Sequence, residues 1–92
     1  MHNNQIVTVY KALADPTRLA LVRELATCPT AKKSCSDLSA QQQLSQPAMS
    51  HHFAKLVQAG VVLEQKSGTK KQYELNKDLL AECGINIKKL GA

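Results

Sequence analysis

A chain of 92 residues has room for one domain with a small core, and at that size self-association is a natural way to bury more surface. Hydrophobic residues make up 43% of it but aromatics only 3%, so Leu, Val, Ile and Ala must fill the core, as in packed helices. Lys and Arg number 12 against 7 Asp and Glu, a net charge of +5 that suits a polyanionic partner, and no apolar run is long enough to cross a bilayer.

In chain order, Ile6, Val9, Tyr10 and Leu13 recur at helical spacing and predict a first helix over residues 4–14. "ADPTR" breaks it: Asp15 can cap a second helix and Pro16 fits its first turn, with Leu19, Val22, Leu25 and Ala26 as the buried stripe running to about Thr27. Pro29 and "TAKKS" read as a loop. Ser36 or Asp37 can cap a short helix through Leu38 to about Gln42, and Ser45 can cap another that ends before Gly60. So tight a connection forces two helices to cross steeply, the helix-turn-helix arrangement.

After Gly60 the period becomes two. "VVLEQK" (61–66) and "KQYEL" (71–75) flank "SGTK", where Gly68 can take the positive φ of a hairpin turn. Helical spacing resumes from Asp78 with Leu79, Leu80, Cys83, Ile87 and Leu90, although Gly84 inside the pattern weakens a continuous helix. The fold class is mainly α with a small β-hairpin, in the order α-α-α-α-β-β-α, with residues 1–92 as a single domain.

Three cysteines, Cys28, Cys35 and Cys83, form no C-x-x-C pair, and an odd number without a signal peptide argues for a reducing, cytoplasmic setting. His51 and His52 are adjacent, hence about 100° apart on a helix, whereas helical metal pairs need i,i+4 spacing. On the wheel His52 joins Met49, Phe53, Leu56 and Val57 on the core side, where a half-buried ring bonded to a neighbouring backbone group is the plain reading. His51 turns to solvent beside Gln46, Ser50 and Lys55, with the small Ala48 nearby. A polar rim with small residues in its first turns is what a helix needs to lie deep in a major groove about 12 Å wide. Lys66, Lys70 and Lys71 lie near the hairpin tip, where they can meet the phosphate backbone beside that groove.

"KALADPTRLALVREL" (11–25), "CSDL" (35–38), "LSQPAMSHHFAKLVQAGVV" (44–62) and the hairpin ending "QYEL" together resemble the ArsR/SmtB family of bacterial winged helix-turn-helix repressors, over about residues 5–77. The resemblance implies a homodimer paired through its first and last helices that binds double-stranded operator DNA. It assigns DNA reading to Gln46, Ala48, Ser50 and His51, and wing contacts to Lys70 and Lys71. It gives Arg18 a role in orienting helices and places Leu13, Leu19, Val22, Leu38, Leu56 and Val62 in the core.

Arsenic- and cadmium-sensing members of that family carry Cys-x-Cys-Asp-Leu, where this chain reads Ser34-Cys35-Ser36-Asp37-Leu38, and residues 78–92 hold no histidine for the zinc, nickel or cobalt site of other members. Neither metal site is therefore expected, and no cofactor is assigned. Some relatives sense oxidants or sulfur species with two cysteines on the second and last helices. Cys28 and Cys83 are the candidates here, and the commoner alternative is that they are small buried hydrophobes.

The combined reading is a homodimeric winged-helix transcriptional regulator whose paired helices 45–59 and wings 61–75 read a palindromic operator, with Gln46, Ala48, Ser50, His51, Lys55, Lys66, Lys70 and Lys71 as the DNA-binding set. No catalytic arrangement is recognisable, so it is not read as an enzyme. The rival is a winged-helix module that binds protein or RNA and no operator.

Overall fold

The computed structural model describes residues 2–27, 32–34, 44–68 and 70–91. Helix α1 spans Asn3–Leu13 and turns Val9 and Ala12 inward, with Ile6 and Leu13 packed beside them. At its end Asp15 caps α2 (Pro16–Thr27) as the sequence predicts: its Oδ2 accepts from the Arg18 amide at 3.0 Å, and Pro16 occupies the first helical position, where no N–H is needed. Arg18 also donates through Nε to the Ala12 carbonyl at 2.7 Å, which satisfies one of the carbonyls that the end of α1 leaves without an intrahelical partner. Leu21, Val22 and Leu25 are the fully buried residues of α2; Leu19 and Ala26 of the predicted stripe sit at its margin, and Leu21 was not in it.

The predicted loop after α2 is corrected by a short strand, β1 (Lys32–Ser34). Nothing in Lys-Lys-Ser favours a strand; it forms because the outer edge of β3 offers unpaired N–H and C=O groups. The register is Lys32 to Glu74 and Ser34 to Gln72. The short helix predicted over 36–42, with Leu38, lies outside the described residues, as do Cys28 and Cys35.

Helix α3 (Gln46–Gln58) is capped by Ser45, whose Oγ accepts from the Ala48 amide at 3.3 Å. It ends in a paired closure: Val61 N–H reaches back to the Leu56 carbonyl and Gly60 N–H to the Val57 carbonyl, with Gly60 at φ +81°. A Cβ on Gly60 would lie 3.0 Å from Leu79 Cδ2, so any other residue would have to shift that side chain in addition to adopting the left-handed conformation that favours glycine.

Strands β2 (Val62–Ser67) and β3 (Lys70–Leu75) form the hairpin, paired from Val62–Leu75 to Ser67–Lys70 with Gly68 at φ +64° in the turn. The sheet order is β1-β3-β2. Val62, Tyr73 and Leu75 face the core, and the Tyr73 ring stacks on Phe53 of α3 at 3.8 Å and 7°. That stack fixes the hairpin against the helix.

The single last helix of the sequence reading is instead two short ones, α4 (Lys77–Glu82) and α5 (Ile87–Gly91). Gly84, at φ +78°, makes the break, and Ile85 N–H closes onto the Leu80 carbonyl at 2.9 Å just as Val61 does on Leu56. Asn76 starts α4 by accepting from the Leu79 amide and donating to the Gly60 carbonyl, so one side chain ties the end of α3 to the start of α4. Tyr10 on α1 donates to the Cys83 carbonyl, and Arg23 on α2 to the Leu90 carbonyl at 3.0 Å.

Candidate nucleic-acid interface

Helix α3 divides cleanly. Met49, Phe53 and Leu56 are fully buried, while Gln46, Pro47, Ser50, His51, Ala54, Lys55 and Gln58 are exposed along the opposite side and Ala48 is half-buried near its start. The predicted rim of Gln46, Ser50, His51 and Lys55 therefore lies on one continuous surface.

The histidines part company as predicted, with one correction. His51 is exposed, and His52 is half-buried, their rings edge-to-face at 5.7 Å. The partner expected for His52 was a backbone group. Its Nδ1 instead faces the Asp15 carboxylate at 4.0 Å, beyond hydrogen-bond reach, and has no hydrogen-bond partner. The Arg18 amide bond above all holds the Asp15 carboxyl below its ordinary pKa, against the opposing effect of desolvation and with the Arg18 charge and His52 adding to it.

On the wing, Lys66 and Lys71 are exposed and stand directly opposite one another in the register, a like-charge pair that costs energy in the isolated protein. Glu64, one pleat along, partly offsets it at 3.4 Å from Lys71 Nζ. Because Lys66, Lys71, Glu64 and Tyr73 share the pleat's period, these two lysines stand on the side of the hairpin that packs on α3. Lys70 pairs with Ser67 at the last position before the turn. Between α3 and the wing runs a shallow groove lined by Ser50, Phe53, Ala54, Glu64, Lys71 and Tyr73. The sequence reading missed Glu64 as a member of this surface, although the hairpin register places it diagonally across from Lys71.

Residues 15–63, from the cap of α2 to the start of β2, match the family model described as bacterial regulatory protein, arsR family. The chain belongs to that family. It is 36% identical to the arsenical resistance operon repressor of Staphylococcus xylosus over 87 residues, covering 95% of this chain and 81% of the relative. Among solved structures, HlyU from Vibrio cholerae is 30% identical with a TM-score of 0.76, covering 91% of each chain. A homodimeric winged helix-turn-helix DNA-binding domain from Mycobacterium bovis, 22% identical, shares the fold with a TM-score of 0.75 over 88% of this chain and 73% of that one. The protein is thus an arsR-family transcriptional regulator with a winged helix-turn-helix fold, and not an enzyme.

Among the described residues no three His, Cys, Asp or Glu side chains come together as a metal site, and no helix is long and apolar enough to cross a membrane. Cys83, the residue that closes α4, is buried, and Cys28 lies outside the described residues.

Proposed function

We propose that this arsR-family protein is a cytoplasmic dimeric repressor of a palindromic operator, with residues 1–92 acting as one DNA-binding domain. The observation that carries the reading is the exposed side of α3: small and polar from Gln46 to Lys55, with the lysine-bearing wing beside it and Met49, Phe53 and Leu56 turned into the core. In this reading α3 enters the major groove, with Gln46, Ala48, Ser50 and His51 against base edges. Lys55, Lys66, Lys70 and Lys71 meet phosphates.

Two copies pair through α1 and the last helices. Support comes from Val7 and Tyr10, 48% and 47% exposed on α1. Two large side chains left open on one helix are surface that a second copy would cover. Paired α3 helices then reach half-sites about one helical turn apart. Serines occupy positions 34 and 36, so the thiolate pair that arsenic and cadmium sensors use there plays no part in this reading. The burial of Cys83 favours a packing role for it over redox sensing with Cys28.

Selection of bound duplexes from a random pool tests the reading. A palindromic consensus with half-sites about ten base pairs apart is expected. Recovery of unrelated sequences, or of RNA in preference to duplex DNA, would overturn it.

A further inference from the structure

A second groove borders α3 on the side away from the wing, where the C-terminal turns of α1 and α3 meet the start of α2. Thr8, Lys11, Arg18, Lys55 and Gln58 line it, and no acidic side chain is among its lining residues. Lys11 and Lys55 are exposed, and among the described residues neither pairs with a carboxylate. Arg18 is half-buried and held by its Nε bond to the Ala12 carbonyl, so its guanidinium is already ordered at the edge of the groove.

Lysines near helix C-termini have a plainer use, offsetting the negative ends of the helix dipoles, and Lys11 and Lys55 both stand in last turns. The charges show that this use is not enough. Two helix ends contribute about −0.5 each. Three cations exceed them by about two charges, and by about one after Asp15 is counted, whose carboxylate accepts from the Arg18 amide.

The placement of that excess matters. Lys55 follows His51 by one turn on the exposed side of α3, and Gln58 borders both this groove and the one beneath the wing. A helix about 10–12 Å across nearly fills a major groove about 12 Å wide, so whatever flanks the helix on either side meets a phosphate strand. Lys66 and Lys71 flank one side. We propose that Lys11, Arg18 and Lys55 form a second phosphate clamp, gripping the duplex strand on the side of α3 opposite the wing.

The clamp rests on the operator reading above, and the test separates the two. Duplex affinity of the full-length protein is measured against salt, on the selected operator and on a random duplex, for wild type, Lys11→Gln, Lys11→Arg and Lys71→Gln. A phosphate contact contributes about 0.9 to the log–log salt slope, and a dimer makes it twice. Lys11→Gln should therefore lower the slope by about 1.8 and weaken both duplexes alike, about tenfold, with an unchanged unfolding midpoint, and Lys11→Arg should restore both. If Lys11→Gln leaves slope and affinity intact while Lys71→Gln reduces them, the clamp is overturned and the operator reading stands. A lowered unfolding midpoint with an unchanged slope makes Lys11 a cap for α1 only and also overturns the clamp. Wild-type protein that binds no duplex in a salt-dependent way overturns both.

Discussion

The two sides of α3 are built under opposite constraints. On the inner side Met49, Phe53 and Leu56 have no exposed surface, and Phe53 lies flat on Tyr73, so shape is specified atom by atom. On the outer side Gln46, Ser50, His51 and Lys55 are exposed. Because the two sets share one rigid helix, the inner side fixes where the outer one stands without depending on its chemistry. Stability and DNA recognition should therefore separate under substitution.

The largest effect is expected on the inner side. Phe53→Ala removes a ring at full burial together with the stack that holds the wing, and should cost about 3–5 kcal/mol of stability in denaturant unfolding. Loss of specific DNA binding without loss of stability in this variant would break the division between the two sides. Gly60→Ala comes next, at about 1–2 kcal/mol for a left-handed residue, with the contact to Leu79 added. A smaller loss would mean that the α3–α4 junction relaxes.

On the outer side His51→Ala should leave the unfolding midpoint unchanged and cost about 1–3 kcal/mol on the selected operator only, measured as the ratio of operator to random-duplex affinity. If both duplexes weaken equally, His51 is not a base reader. Serving as the contrast, Lys71→Gln should weaken both duplexes and flatten the salt dependence by about one unit per phosphate lost.

How much of this was legible in the sequence depends on whether the deciding interaction was local. The Asp15 and Ser45 caps, the glycine closure at Gly60 and the sides of α3 are set within four or five residues, and the sequence pattern placed them. Gly84 was visible as a flaw in a helix, but its left-handed conformation, which splits that helix in two, was not. Strand β1 was illegible because its cause lies in β3, some forty residues away, and not in Lys32 or Lys33. The partner of His52 failed for the same reason: Asp15 is distant in sequence and is brought near only by the crossing of α2 and α3. Of the candidate site, α3 and the wing lysines could be named in advance, whereas the role of Glu64 needed the hairpin register and the groove at Lys11 needed three helices together.

Asp15 gives the finest probe, because it acts on two helices at once, capping α2 through the Arg18 amide and facing His52 of α3. Its carboxyl is held below the ordinary value of 3.8, chiefly by that amide bond. The ionised form is therefore the one the folded state favours, so its contribution is complete above the unfolded pKa and disappears as pH falls through the lower folded value. Asp15→Asn should thus be less stable than wild type at neutral pH, with the difference shrinking as pH drops below about 4, followed as unfolding midpoints across an acid series. Asparagine keeps a capping oxygen but not the charge, so the residual difference at neutral pH isolates the charge facing Arg18 and His52. If Asp15→Asn also lowers operator affinity under conditions where the fold is intact, the Asp15–His52 contact is a route by which the α1–α2 corner sets the pose of the recognition surface. An unchanged affinity would leave the inner side's apolar packing as sufficient for that pose.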